Sequence, residues 1–373
     1  RLVIIGAGRQ PQGERLGWPL AALAIMITAL LNPTFSQKIV LTSYAETSSA
    51  IATGTAAVVA WFILEALGRG EHDRARRLAW ALGLILALLI NLKQATMVLA
   101  VLVVLATLFV AIRDRAIPVA KFIRLMPVIV GPAVVIYLVW RYHLATQLSV
   151  TEFSVRPMSD WYIELIPQIL AKMLLVLSKK GYYLILITIL IGFGLRGFFR
   201  SKTPFDRFAA IGAMVVLGYN AFLLFAYIAS FGKFDALRVA SFWRYNMHLG
   251  AIVIAFGAYG SAVLWRQRLS HRWQIKRLAW VPIVLVIAAP FVFAHKLRFD
   301  RTPLTVHYRV VGAEVATMVR PDDYVFTADP TGSGESSAAL SYELGERAHL
   351  GGKISAFDAD QLKRFIKALS SPR

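Results

Sequence analysis

The chain has 373 residues, of which 57% are hydrophobic and only 17% charged, with no cysteine and a formal net charge of +20. Soluble globular proteins usually carry about 25% charged residues. This composition excludes an ordinary soluble domain, and the lack of cysteine excludes disulfides and thiolate metal sites. The apolar residues come in blocks of roughly 17 to 24, long enough to cross about 30 Å of hydrocarbon. The sequence therefore predicts an α-helical polytopic membrane protein.

The apolar blocks predict about nine transmembrane helices. They lie near 17–34, 48–67, 78–92, 95–112, 125–140, 182–198, 208–230, 246–265 and 279–295. The chain then divides into an N-terminal flank (1–16), a transmembrane domain (17–295) and a C-terminal module (296–373). Because the first residue is Arg1 and no signal peptide is visible, we expect a fragment that lacks one or more N-terminal helices.

Lysine and arginine concentrate in one alternating set of loops. The enriched set is 1–16, 69–77, 113–124, 196–207 and 266–277. It holds about 20 of the 41 basic residues, and the opposite loops before the C-terminal tail hold about 10. Cytoplasmic loops carry such an excess, so this set is predicted to face the cytoplasm and the opposite loops the outside. The same placement accounts for the positive charge without a nucleic-acid partner.

Two segments of the outer set need separate interpretation. Residues 160–181 contain Glu164, Pro167 and Lys172 beside one apolar face, which favours an interfacial helix over a span. Residues 296–373 have nearly balanced charges and alternate helix-like with strand-like patterns. This alternation predicts a small α/β module, and the loop charges place it outside the membrane.

Three charged side chains are predicted at the outer surface. Glu46 precedes an apolar block, where it either completes a capping box with Ser43 or acts as a functional carboxylate. Lys93 interrupts a long apolar run, which predicts two spans meeting at an outer junction, with the ammonium suited to a phosphate. Arg244, in the stretch FWRYNMHLG, could clamp a phosphate bidentately or simply belong to an aromatic belt.

Further residues are candidates for lining the same site. They are Tyr44, Gln94, Arg141 and Tyr245. His143 and His248 have no partners at metal-ligand spacing, so we interpret them as interfacial histidines. Taken together, one acid and two or three cations from separate spans are predicted to converge at the outer face. That arrangement suits transfer of a group from a lipid-linked phosphate.

These elements resemble the GT-C superfamily of integral-membrane glycosyltransferases, especially bacterial relatives of protein O-mannosyltransferases and of the lipid A aminoarabinose transferase. SYAETSSA is similar to the family's Tyr-Ala-Asp-like element, with Glu46 in place of Asp. INLKQATM is similar to its Thr-Lys-x-Glu-Gly-like element, keeping Lys93 but with Ala95 and Thr96 where Glu and Gly often occur. The Arg-Tyr pair in FWRYNMHLG and the C-terminal module complete the resemblance.

The resemblance implies an enzyme of the bacterial inner membrane that moves a sugar from a polyprenyl-phosphate donor to a lipid, glycan or protein acceptor. Glu46 would be an acidic catalytic residue, and Lys93 and Arg244 would contact the donor phosphate. The family's principal acid would lie upstream of Arg1. No cofactor is implied, and a divalent cation is compatible. Two alternatives stay open: a lipid or solute transporter or flippase, and a non-catalytic membrane assembly subunit.

Overall fold

The structure is a computed structural model made mostly of helices. It describes residues 45–147, 155–200, 203–269, 280–292, 303–329, 335–345 and 347–355, and the single residues 5, 8, 18, 21, 22, 24, 362, 363, 365 and 366. The chain divides into two compact units, Arg1–Leu297 and Arg298–Arg373. The predicted span 17–34 and the candidate residue Tyr44 lie largely or wholly outside the described residues.

The described part of the first unit is helical. Its helices are α1 (Glu46–Gly68), α2 (His72–Leu92), α3 (Met97–Arg113), α4 (Val119–Gln147), α5 (Ile166–Ser178), α6 (Gly181–Arg200), α7 (Pro204–Ala229), α8 (Lys233–Arg238), α9 (Phe242–Leu264) and α10 (Val281–Val292). Short 3-10 turns lie at Gln94–Thr96, Met158–Asp160 and Ile163–Leu165, and a π-helical turn at Trp265–Leu269.

Eight stretches of the described chain are long and apolar enough to cross a membrane. They are Glu46–Gly68, His72–Leu92, Gln94–Arg113, Val119–Thr146, Met158–Ser178, Gly181–Arg200, Pro204–Ala229 and Phe242–Arg268. Each predicted span between 48 and 265 overlaps one of them. The chain is therefore a helical multi-pass membrane protein. The ninth predicted span, 279–295, is described as the 12-residue helix α10.

The segment predicted to lie in the interface also meets the length and hydropathy of a span, over Met158–Ser178. Its continuous α-helix, α5, has only 13 residues. At 1.5 Å per residue α5 is about 20 Å long, shorter than the roughly 30 Å of a hydrocarbon core. The interfacial placement therefore stays a prediction. Arg156 ties this segment to the end of α7 by donating to the carbonyls of Ile228 and Phe231.

Helix α1 is the centre of the first unit and packs against α2, α3, α7 and α9. Its small residues allow this, because small side chains let helix backbones approach closely in a membrane. The clearest case is Gly54, where an added Cβ would stand 2.7 Å from the Cβ of Ala251 on α9. This contact and the Glu46–Arg244 approach at the N-terminal ends show that α1 and α9 run parallel.

Two of the basic loops, 113–124 and 196–207, meet beside Glu65, at the far end of α1 from Glu46. Arg207 donates to Glu65 at 2.8 Å and to Asp114 at 2.6 Å, which joins α7, α1 and the end of α3. Arg196 donates to Asp206 at 2.7 Å, across the α6–α7 turn. The 19 residues from Glu46 to Glu65 rise about 28 Å in an α-helix, close to a hydrocarbon thickness. The helices therefore carry two separate charged ends.

The second unit contains two helices and two strands. They are α11 (Pro303–Met318), β1 (Tyr324–Asp329), α12 (Glu335–Leu344) and β2 (His349–Ser355). The strands pair in parallel, with Tyr324 opposite His349 and Asp329 opposite Ser355. Because parallel strands need a crossover, α12 supplies the connection between them. A small apolar cluster, which includes Ala316, Leu340 and Leu344, holds α11 against α12.

Candidate functional site

The structure brings Glu46, Lys93 and Arg244 together, and we call these three residues the triad. Lys93 Nζ lies 3.0 Å from Glu46 Oε1, and Arg244 Nε lies 3.5 Å from the same oxygen. The three residues come from the start of α1, the α2–α3 junction and the first turn of α9. Side chains far apart in sequence thus converge at one end of the helices, as the sequence predicts.

The α2–α3 junction holds Lys93 in place. Helix α2 ends at Leu92, Lys93 takes an extended conformation with φ −166°, and Gln94–Thr96 form a 3-10 turn before α3 begins. The prediction of two spans meeting at Lys93 is confirmed. The Thr96 hydroxyl donates to the Lys93 carbonyl at 2.6 Å and also contacts the Leu89 carbonyl. Both carbonyls also accept a backbone N–H, from Lys93 and from Thr96 itself, so the Thr96 hydroxyl adds a side-chain contact to the hydrogen bonds that hold the junction.

Burial differs within the triad. The Glu46 side chain is 4% exposed, whereas those of Lys93 and Arg244 are 31% and 37% exposed. A buried carboxylate is stabilised only when cations or hydrogen-bond donors compensate the lost hydration. Lys93 and Arg244 compensate Oε1, while Oε2 is buried without a hydrogen-bond partner among the described residues. The two cations are therefore the accessible part of the site, and the acid lies beneath them.

The capping-box interpretation of Glu46 is wrong for this structure. Helix α1 begins at Glu46 itself, with Ala45 in the N-cap position and no side-chain capping bond. A capping box needs the acid at the third helical position, where it reaches back to the N-cap amide. Here the carboxylate instead accepts from Lys93. Ser43, the other predicted member of the box, lies outside the described residues.

Tyr245 and Gln94 adjoin the triad as predicted, whereas Arg141 lies on α4, which contributes no residue to the triad. The Tyr245 hydroxyl accepts from Arg244 at 3.2 Å, and its ring lies 5.8 Å from Lys93 Nζ. Gln94 directly follows Lys93, and its Nε2 is buried without a partner among the described residues. Arg141 is exposed near the end of α4, a helix that packs mainly on α2.

A row of buried polar side chains continues from the triad into the helices; we call it the polar seam. His248, one helical turn after Arg244, accepts or donates through Nδ1 to the Tyr219 hydroxyl at 2.8 Å. Asn246 donates to Asn220 at 3.3 Å. On α1, Ser49 lies one turn below Glu46 and is fully buried. The seam joins α1, α7 and α9 under the triad.

His248 corrects the sequence interpretation. We expected an interfacial histidine, but its side chain is fully buried, and its Nε2 has no partner among the described residues. His248 lies within electrostatic range of Lys93, Glu46 and Arg244. The spacing from Arg244 to His248 is four residues, which puts both on one face of a helix. From the sequence, this spacing alone indicated that His248 lies on the same helix face as Arg244, one turn further along α9.

A further cation lies at the triad's end of the helices. Lys180 Nζ stands 4.3 Å from the centre of the Trp243 ring, a cation–π geometry, and Trp243 directly precedes Arg244. Burial in the α5–α6 turn lowers the pKa of Lys180. Lys180 was not predicted as a site residue, because nothing in its spacing along the sequence connects it to residue 243.

A cavity of about 1050 Å³ lies at the opposite, basic end. Its lining combines aromatic residues, among them Trp61, Phe205 and Tyr259, with the arginines Arg69 and Arg196. Arg69 approaches Glu65 at 3.8 Å, and Arg196 pairs with Asp206. The cavity does not include the triad. The triad is the better candidate site, because its acid is buried under two accessible cations.

The described residues contain no cluster of side chains that could bind a metal ion without other ligands. No group of three or more His, Asp or Glu side chains there could hold a metal ion. The polar seam offers only one potential metal ligand of this kind, the imidazole of His248. The triad offers only the carboxylate of Glu46, which is already paired with two cations.

Comparison with known proteins yields no relatives. No protein-family model, no curated protein and no solved structure matches the chain. Assignment of a function therefore depends on the triad, its burial and its surroundings.

Proposed function

We propose that this protein is a GT-C-like membrane glycosyltransferase, which moves a sugar from a polyprenyl-phosphate donor to an acceptor at the outer face of the bacterial inner membrane. The observation that carries the proposal is the convergence of Lys93 and Arg244 on the buried carboxylate of Glu46. A phosphate leaving group needs positive charge beside it, and an acceptor hydroxyl needs a base. The triad contains both kinds of group.

The distribution of charge at the two ends supports the outer placement. Two of the arginine-rich loops, 113–124 and 196–207, meet at Arg207 at one end, and the triad lies at the other end of α1. Basic loops favour the cytoplasm, so the triad would face outwards. In this orientation residues 296–373 form an extracytoplasmic α/β module, built on the parallel pair of β1 and β2.

The proposed reaction is a direct displacement at the anomeric carbon. The acceptor oxygen forms a bond to that carbon, and the bond from the carbon to the phosphate oxygen breaks, with its electron pair leaving on the phosphate. Lys93 and Arg244 stabilise the developing charge, as preorganised cations do. Glu46 takes the proton of the acceptor hydroxyl, which is the role of a general base. A single displacement inverts the anomeric centre.

A transfer assay tests the proposal. The full-length protein in lipid nanodiscs is incubated with a panel of polyprenyl-phosphate sugars and candidate acceptors, and the products are followed by mass spectrometry. The proposal expects release of polyprenyl monophosphate coupled to glycosylation of an acceptor, with inverted anomeric configuration. Absence of transfer across the panel, from protein shown to be folded, would contradict it.

A lipid or solute transporter is the second candidate, and the polar seam favours it. Intramembrane polar groups are costly and often mark a path for a substrate or proton. His248 and Asn246 are fully buried, and each has a polar atom without a partner among the described residues. Movement of a labelled lipid or solute across proteoliposomes, without any chemical change in it, would identify a transporter. Non-catalytic assembly would show neither transfer nor transport.

A further inference from the structure

Glu46 occupies the position that a bound phosphate would need. Lys93 Nζ and Arg244 Nε both approach one carboxylate oxygen, Oε1, from different helices. Lysine and arginine are the side chains that bind phosphate oxygens best, through charge-assisted hydrogen bonds. The same two cations would therefore have to serve both the carboxylate and the phosphate of a ligand.

The charges of the triad make this a competition. Two cations and one carboxylate leave a single net positive charge, which attracts an anion. A phosphate that reaches both cations also comes within a few ångström of Glu46, and like charges at that distance repel strongly where water is scarce. Glu46 is 4% exposed, so water screens this repulsion poorly. The phosphate binds well only if the carboxylate moves away.

The local structure permits that movement. Glu46 is the first residue of α1 and makes no side-chain cap bond there, so moving its carboxylate breaks no capping interaction of this helix. Ser49 Oγ, one turn further along the same face, and Gln94 Nε2, beside Lys93, are both buried without a partner among the described residues. Both atoms can donate a hydrogen bond. They provide donors near the triad for a carboxylate that has left the cations.

We propose that Glu46 is an internal counter-ion, which a lipid phosphate displaces from Lys93 and Arg244. This inference rests on the proposed function for its catalytic consequence. Displacement would free the carboxylate to accept a proton only after the donor has bound. The donor therefore binds before the acceptor is activated, and the base stays paired in the empty enzyme.

The charge balance through turnover is consistent with this order. A sugar phosphodiester carries one negative charge, and with it the triad is neutral. After transfer the polyprenyl monophosphate carries nearly two negative charges, while Glu46 holds the proton from the acceptor. The site stays close to neutral throughout. When Glu46 loses that proton, its carboxylate competes again for the cations and helps to expel the product.

A binding experiment tests the displacement directly, because it predicts that removing the acid improves binding. The full-length protein in nanodiscs is titrated with a short-chain polyprenyl monophosphate, with inorganic phosphate and with the uncharged polyprenol. Glu46→Gln should tighten binding of the polyprenyl monophosphate at least about tenfold. Lys93→Met and Arg244→Met should each weaken it by a similar factor. The matched control is Glu65→Gln, the same change on the same helix, which should leave binding unchanged.

The comparison of probes identifies the source of the phosphate. Tight binding of the lipid form alone supports a membrane-embedded ligand, whereas equal affinity for inorganic phosphate would overturn the lipid assignment. Unchanged or weaker binding by Glu46→Gln overturns the displacement. So does wild-type protein that binds neither phosphate probe. If Glu46→Gln tightens binding but wild type transfers no sugar, the counter-ion inference holds and the glycosyltransferase proposal fails.

Discussion

Lys93 Nζ lies 3.0 Å from Glu46 Oε1, although 47 residues separate the two along the chain. The contact exists because the apolar run around Lys93 breaks into α2 and α3, and this break returns the ammonium to the end of the membrane helices where α1 starts. Arg244 approaches the same oxygen from α9. A carboxylate so buried needs both cations, and the pairing defines the candidate site.

The triad and the arginine-rich loops are predicted to face opposite sides of the membrane. Because the chain has no cysteine, single cysteines can report sidedness without background. Lys179→Cys lies at the triad's end and Arg115→Cys at the basic end, and both positions are exposed. A membrane-impermeant maleimide added to intact spheroplasts should label the first, and should label the second only after permeabilisation. The reverse pattern would place the triad in the cytoplasm and remove the basis for an outer-face transferase.

The two cations are expected to act on the donor phosphate. Lys93→Met or Arg244→Met should lower kcat/KM for the donor about a hundredfold, because each removes a preorganised charge from the leaving group. Lys172→Met, at an exposed position on α5, is the matched control and should turn over like wild type. Steady-state kinetics at saturating acceptor provide the measurement. If both triad variants keep the wild-type kcat/KM for the donor, the two cations serve only to stabilise the structure.

The Arg207 network should contribute strongly to stability. Arg207 is 12% exposed and joins two buried carboxylates, Glu65 and Asp114. Arg207→Gln removes the cation that joins the two carboxylates and leaves Glu65 with only the more distant, exposed Arg69 at 3.8 Å. Breaking a buried pair in this way costs about 3–5 kcal/mol. Arg74→Gln breaks the half-exposed pair with Glu71 and should cost about 0–1 kcal/mol. Thermal unfolding in detergent compares the two, and equal losses would contradict the burial argument.

Close packing of α6 on α7 can be tested with two neighbouring glycines. A Cβ added at Gly194 would stand 2.3 Å from the Cβ of Ala213, whereas one at Gly192 would meet nothing within 4 Å. Gly194→Ala should therefore destabilise the protein by about 1–3 kcal/mol through overpacking. Gly192→Ala should be neutral or stabilising by up to about 1 kcal/mol, since alanine favours helix. Similar unfolding temperatures for the two variants would mean that α6 does not approach α7 this closely.

Hydrophobic run length and charge patterning together predicted the helical multi-pass class, the junction at Lys93 and the convergence of the triad. Each follows from hydrophobic run length or from the alternation of basic loops. Both patterns extend over the whole chain and do not depend on the surroundings of any one residue. The sequence did not predict the buried state of His248, because residues near a helix start can face lipid, water or the core. The pairing of Arg207 with Glu65, 142 residues apart, also lacks any local signal.

The predicted capping box shows a different limit. The spacing from Ser43 to Glu46 fits such a box, but the pattern is informative only if the helix starts at Ser43. In the structure the N-cap is Ala45, two residues later, and the acid accepts a hydrogen bond from Lys93. Helix ends are the least certain part of a pattern-based assignment. Because the start of α1 was predicted two residues too early, Glu46 could be interpreted as a capping residue.

Sugar transfer by Glu46→Gln, compared with Glu65→Gln, tests the central claim most directly. Both variants replace a buried acid on α1 with its amide, at opposite ends of the helix. Glu65→Gln should retain wild-type turnover per folded molecule, because Arg207 keeps Asp114 as a partner. Glu46→Gln should lose at least about tenfold in turnover, the low end of what a general base contributes, while folding normally. Wild-type turnover by Glu46→Gln, measured with a donor on which the wild-type protein acts, would contradict a catalytic carboxylate at this position.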